Sequence, residues 1–279
     1  MNVNITMSSQ TTMCNKIIFL DFNLTLSIKL CDILSEETNV IVNASNTELF
    51  LGGGISGAIR QKGGKTIQQE LDKIRKEKRF ISEGDVEVTD SGLIKNKNLV
   101  KIFHAVGPIY QSNKNNDFLL KNAFLNSLKM AEKHGYSSIS IPPISSGIFK
   151  YPLNLVCSVF YGTIIDFISE KIKRNEKFIL NEINFCNNEE IGYNVMLNSL
   201  KELKENILRL GYRTQYISNQ EELESQFPQE DIDPIKMIEN NIKVMKEYNK
   251  LNNSNLKMNG KNKDYKSNTK ITDFFAKKI

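Results

Sequence analysis

Histidine and cysteine are scarce in this chain: 279 residues hold two histidines and four cysteines. Cys14, Cys31, Cys157 and Cys186 are widely scattered and no two have C-x-x-C spacing. A disulfide framework is therefore not expected, and His104 and His134 add too few ligands for a zinc site to be assembled from the sequence. The thiols read as reduced ones in an intracellular protein, and no Cys-His pairing by sequence argues for a catalytic thiol. Long apolar runs are also missing. None approaches the roughly 18 residues that a membrane span needs, so no membrane partner is expected. The opening MNVNITMSSQTTMCNK has neither a basic n-region nor an apolar h-region, so residues 1–15 read as a loose leader rather than a secretory signal.

The body also lacks net charge. Residues 252–279 hold seven lysines against two aspartates, and the remaining 251 residues carry thirty of each sign. The formal charge of +5 thus sits in a tail. A neutral body argues against a dedicated duplex-DNA binder, whose affinity rests on many phosphate contacts.

What is present is alternation. From about residue 16 to 206, short β-rich runs such as IIFLDF, LTLSIKL, VIVNA, DVEVTDSG, LVKIFHAV, SSISIPPI and INFC alternate with segments of helical period. Residues 55–78 carry Ile55, Ala58, Ile59, Ile67, Leu71 and Ile74 at helical spacing, interrupted by a KGGK break at 62–65. The pattern predicts an α/β fold whose mixed, largely parallel sheet is covered by helices on both faces. Its bounds are set at 16–212. A further helical extension is expected over 213–250. The Asn/Lys-rich stretch 251–279 has too little apolar content to order itself.

The glycines of VNASNTELFLGGGISGAIRQKGGKT pose the functional question. Gly64-Lys65-Thr66 ends like a phosphate-binding P-loop, but the first glycine of that motif would fall at Ile59. Gly52, Gly54 and Gly57 satisfy G-x-G-x-x-G, yet seven residues separate them from the strand and the acidic partner expected some twenty positions on falls in a helix. A third reading fits better. Three glycines leading into a helix put uncrowded N–H groups at its N-terminus, where orphan donors and the dipole favour an anion. Asn43 and Asn46 supply carboxamides suited to sugar hydroxyls. A second loop, PPISSGIFKYP over 142–152, also follows a strand and precedes a helix, so the pair could clasp a diphosphate. Both loops could equally be plain strand-to-helix turns.

VNASN…GGGISGAI, HAVGP and SISIPPISSGIFKYP resemble, in order and spacing, the signatures of the macrodomain family. The resemblance covers roughly residues 16–206. It implies a three-layer α/β/α sandwich and ADP-ribose, free or attached to proteins, as ligand, with no cofactor. By position it places Asp32 and Ile33 at the adenine, Asn43 and Asn46 in the first loop with Asn46 at the distal ribose, and Gly52, Gly53, Gly54, Ile55 and Ser56 along the diphosphate and distal ribose. Ser145, Ser146, Gly147, Ile148 and Phe149 would close the other side, and Asn187 would meet the proximal ribose or adenine edge. Plainer roles exist for several of these: Asp32 as a helix N-cap, Asn46 as a turn residue, Phe149 as a core aromatic. His104, on a strand, reads as structural.

Some family members remove ADP-ribose from proteins and others only bind it. In one hydrolytic branch the motif is GGGVDG, and this chain has Ser56 in place of the aspartate. A serine hydroxyl is a very poor general base without a partner. Leu51 and Lys150 also depart from residues common at those positions. The sequence therefore favours a binding module, with a mono-ADP-ribosyl hydrolase using a water positioned by Asn46 as the alternative. Finally, NTKITDFFAKK resembles the PIP box that docks onto the replication sliding clamp, with Ile271, Phe274 and Phe275 as the plug and Asn268 in place of the usual leading glutamine. That motif, over 268–275, implies a nuclear protein; without it a cytoplasmic one is expected. The lysine-rich tail could also contact nucleic acid non-specifically.

Overall fold

The computed structural model describes residues 13–218. The helix expected over 213–250 and the clamp-docking stretch 268–275 lie outside the described residues, apart from Arg213–Ser218.

Eight strands form one sheet: β1 (Met13–Phe19), β2 (Leu24–Leu30), β3 (Val40–Ser45), β4 (Val86–Asp90), β5 (Lys101–Val106), β6 (Ser138–Ile141), β7 (Glu182–Asn187) and β8 (Thr214–Ser218). Their order across the sheet is β4-β5-β3-β6-β7-β2-β1-β8. The five central strands, β5 to β2, are mutually parallel, and the edges pair antiparallel through β4 at one side and β1 and β8 at the other. The sheet is mixed, as expected, with antiparallel pairs confined to its margins.

Helices cover both faces. Helices α1 (Gly54–Gly63) and α2 (Lys65–Glu77) lie on one, and α3 (Asp117–Lys133), α4 (Leu153–Arg174) and α5 (Glu190–Arg209) on the other. The alternation of β3 shows why two cores form: Val40 and Val42 enter the larger core beneath α3, α4 and α5, while Ile41 enters the smaller one beneath α1 and α2. Phe160 and Phe185 stack in the larger core with ring centroids 4.0 Å apart, and Phe124 meets both edge-on. Each such fully buried ring contributes about 1.5–3 kcal/mol of transfer free energy.

Both boundaries move outward from the expected 16–212. β1 begins at Met13 because Met13 to Asn15 continue the pairing with β2, from Met13–Leu30 inward. At the other end, Thr214–Ser218 adds an edge strand against β1, its turn held by Arg213 on Asp21. Too short and polar to show a hydrophobic period, β8 forms because an open edge of β1 offers it a ladder.

Candidate functional site

Every predicted ligand loop follows the C-terminal end of a central parallel strand. Asp32 and Ile33 follow β2, Asn46 to Gly53 follow β3, Ser145 to Phe149 follow β6, and Asn187 closes β7. Ligands of open α/β sheets bind at this end, where neighbouring connections leave in opposite directions. Here that point lies between β3 and β6. After β3 the chain runs through α1 and α2 to β4; after β6 it runs through α4 to β7, away from β3. The two strands also splay. β3 pairs with β5 at six successive positions, Val40 to Ser45, but with β6 only at Val40 and Ile41. The crevice opens above that break.

Helix α1 ends the β3 loop at the mouth of the crevice. No side chain caps it, Gly53 being the N-cap residue, so its first-turn N–H groups are left for a ligand or water. The helix can start so close to its own loop only because residue 57 is glycine: a Cβ there would stand 2.8 Å from the Gly52 carbonyl oxygen. The opposing loop meets it directly. A Cβ on Gly53 would contact Ile148 at 3.6 Å, and Ile148 is itself 75% exposed. Beneath them Gly107, after β5, reaches across the end of β3 so tightly that a Cβ would fall 2.2 Å from the Ser145 hydroxyl.

Both loops are strained. Outside glycine, five described residues have positive φ: Asn23 and Asn175, which tolerate it, and Leu49, Ser145 and Lys150. The last three all lie in the two crevice loops. Strain of this kind costs on the order of 1–3 kcal/mol and persists only where surrounding structure imposes it. For the first loop the clamps are Asn46 and Gln68. Asn46 Oδ1 accepts from the amides of Glu48 and Phe50 at 3.0 and 3.2 Å, and its amide nitrogen donates to the Phe50 carbonyl. Gln68 of α2 accepts from Leu51 N and donates to Leu49 O. The second loop is tied by Ser146, whose amide and hydroxyl both donate to Pro143 O, by Tyr151 N to Ser145 O, and by Tyr110 N to Phe149 O. The Ser145 hydroxyl is buried without a hydrogen-bond partner among the described residues.

Two residues expected at the ligand sit instead inside the wall. Asn43 is fully buried on β3; its nitrogen lies 3.0 Å from His104 Nδ1 and its oxygen accepts from the Ser56 hydroxyl at 2.9 Å. Ser56 is also buried, with Ala44 O as a second acceptor at 3.3 Å. The chain continues from His104 Nε2 to the Thr89 hydroxyl at 2.9 Å, which donates to Asp90 O. Because Thr89 spends its proton on Asp90, His104 must be the Nε2–H tautomer, leaving Nδ1 to accept from Asn43. Complete burial holds His104 neutral, its pKa pushed down to about 3. His104 is structural, as expected, and the face of α1 bearing Ser56 is pinned to the sheet by this chain. Strand alternation could have found it: Asn43, like Ile41, faces the smaller core.

At the far end, Asp32 accepts from Leu34 N at 2.9 Å, capping the 3-10 turn Ile33–Ser35, and its other oxygen pairs with Lys62 of α1 at 2.7 Å. Both partners are half exposed, so the pair is weak and open to exchange. Ile33 is buried beside it. Asn187 accepts from Glu189 N at 2.9 Å and packs on Gly192 of α5, where a Cβ would lie 2.2 Å from its side-chain nitrogen. Phe149 is half-buried, and Gly52, Gly53 and Gly54 line the rim. The sequence reading missed Gln68, Thr89 and Gly107 as supports; of these only Gly107, in HAVGP, lay within a quoted motif.

A family model described as Macro domain matches residues 42–160. An uncharacterized protein of Thermotoga maritima is 39% identical over 160 residues, 57% of this chain but only 26% of that longer protein. An O-acetyl-ADP-ribose deacetylase of Escherichia fergusonii is 35% identical over 139 residues, half of this chain and 77% of the relative. Among solved structures, an Oceanobacillus iheyensis macrodomain with ADP superposes with a TM-score of 0.63 at 30% identity, covering 70% of this chain and 99% of that one.

Proposed function

Since the chain belongs to the macrodomain family, we propose that its crevice binds ADP-ribose and that the protein acts as a reader of ADP-ribose, free or attached to proteins. The observation that carries this is the uncapped N-terminus of α1 meeting the strained 143–151 loop across the split between β3 and β6. In this reading the first-turn amides of α1 hold the diphosphate, and the buried Ser145 hydroxyl turns its donor to the ligand. Asp32 exchanges Lys62 for the adenine amino group. Gly52, Gly53, Gly54, Ile55, Ser146, Gly147, Ile148 and Phe149 line the diphosphate and distal ribose, and Asn187 the proximal side. Asn43 and Ser56 support the wall rather than touch the ligand.

Ser56 favours reading over catalysis. Its hydroxyl donates into the interior, and a serine without a basic partner does not activate water. Asn46, the alternative positioner of a hydrolytic water, has both ends of its carboxamide engaged by its own loop. The deacetylase name of the Escherichia relative supports the second reading, an ADP-ribosyl or O-acetyl-ADP-ribose hydrolase. Incubation with protein mono-ADP-ribosylated on aspartate and glutamate separates the two. A reader retains the label over hours, whereas its loss at enzyme-like rates would establish the hydrolase.

We further propose that Asn268, Ile271, Phe274 and Phe275 dock onto the replication sliding clamp, which makes the protein nuclear and couples ADP-ribose recognition to replication or repair. The resemblance of NTKITDFFAKK to a PIP box supports this. In a pull-down of the clamp, wild type should recover it and a Phe274→Ala/Phe275→Ala double variant should not; equal recovery refutes docking.

A further inference from the structure

Cys31 and Cys186 are 155 positions apart, a separation from which no zinc site could be assembled, yet the fold brings them together with Glu36. One ligand atom from each of the three lies within 4.8 Å of the others. The topology explains it. β2 and β7 are parallel neighbours in register Lys29–Cys186 and Leu30–Asn187, and the Cys31 amide donates to Asn187 O at 2.9 Å. Cys31 and Cys186 therefore fall on one face of the sheet, diagonal to each other. The loop carrying Ile33–Ser35 then folds back over that face and returns Glu36 to it.

We propose that Cys31, Cys186 and Glu36 bind a thiophilic divalent cation, zinc in kind, that staples the loop after β2 to the end of β7. Around a tetrahedral zinc, with Zn–S near 2.3 Å and Zn–O near 2.0 Å, neighbouring ligand atoms stand about 3.5–3.8 Å apart. The three ligand atoms, all within 4.8 Å of one another, need to close by about an ångström at most to meet that geometry. The carboxylate is already presented. Lys29, Ser140 and Asn184 all donate to Glu36 Oε2, at 2.8, 3.1 and 2.8 Å, so Oε1 is the oxygen for the ion. Charge closes as well: two thiolates and a carboxylate are offset by a divalent ion together with the Lys29 ammonium. Glu182, 3.8 Å from Lys29, and the buried Cys14 thiol, cross-strand from Lys29, are further ionisable groups bordering the site.

A second observation is independent of the thiols. Asn184 lies two residues before Cys186 on the same strand face, is fully buried, and its side-chain oxygen has no partner among the described residues. Its nitrogen is committed to Glu36 and Glu182, which fixes the orientation of the amide. This unsatisfied buried acceptor belongs to the amide that grips Glu36, where a bound water or an ion would complete it. Access is through Cys31, which is only half-buried.

Cobalt(II) is the probe, because thiolate ligation gives it an intense charge-transfer absorption. The full chain, kept reduced, is titrated with cobalt and then with zinc. Wild type should develop the band at one equivalent of cobalt and lose it as zinc displaces the probe. Cys31→Ser, at the more exposed position, should lose most of the band, and Glu36→Gln should weaken cobalt at least about tenfold. Cys157→Ser, on α4 far from the triad, should behave as wild type. Circular dichroism confirms that each variant is folded, and a zinc-dependent rise in melting temperature should occur in wild type and vanish in Cys31→Ser. No band at saturating cobalt overturns the proposal. So does a band that persists in Cys31→Ser, or equal reactivity of the Cys31 and Cys186 thiols to a thiol reagent with and without zinc. None of these readouts involves ADP-ribose, so the two assignments stand or fall separately.

Discussion

His104 shows how a residue with no access to ligand can govern a binding crevice. It is neutral, fully enclosed and bonded on both ring nitrogens, so it holds Asn43, which holds Ser56 and with it the first turn of α1. Its lowered pKa has a definite consequence for stability. In the unfolded chain His104 takes up a proton near pH 6.5, whereas in the folded chain it does so only near 3, so the unfolded state binds more protons between those values. Stability contributed by this group is complete above about pH 6.5 and is lost progressively as pH falls towards 3. Between pH 7 and pH 5 the loss should be about 2 kcal/mol. Urea unfolding at the two pH values measures it; a His104→Gln variant should lack that component, and equal acid sensitivity of variant and wild type would show that His104 is not buried neutral. The carboxamide and hydroxyl partners were legible in the sequence as polar residues near the glycines. Alternation puts Asn43 on the face of Ile41, but β3 is apolar on both faces, so its sequence does not say which helix layer that face meets.

At the scale of elements, the crevice is made by what β3 and β6 do at their ends. They part after two paired positions, and each is followed by a loop forced into backbone conformations its residues disfavour. Gly57 is a close fit against backbone, since it lets α1 begin against the carbonyl of Gly52. Gly57→Ala should push the helix start away from its loop, costing about 1–3 kcal/mol of stability and weakening ADP-ribose by about tenfold or more, as read by calorimetry alongside denaturation. Unchanged affinity would show that the helix start is not part of the site. Helix and strand alternation was readable because α1 to α5 and β2 to β7 carry clear apolar periods, and the break at 62–65 falls where Gly64 separates α1 from α2. The edge strand β8 was not readable: TQYIS has no such period, and only the open ladder of β1 makes it a strand. The clamps Gln68 and Thr89 were equally hidden, being single residues on regular elements whose partners lie 19 positions away or less but across a packing interface.

For the whole molecule, five parallel strands bring loops from widely separated stretches of chain to one rim, and the functional reading rests on that convergence. Asp32, the β3 loop, the 143–151 loop and Asn187 become neighbours only through the order β3-β6-β7-β2. The same parallel pairing of β2 with β7 joins Cys31 to Cys186, so one architectural feature underlies both the ligand crevice and the cation site. Calorimetric titration of the full chain with ADP-ribose, for wild type and Asp32→Ala, tests the central claim most directly. Wild type should bind one equivalent, and removing the Asp32 carboxylate should weaken it by roughly ten- to a hundred-fold, the equivalent of a hydrogen bond to a charged group. Absence of binding by wild type would contradict the account.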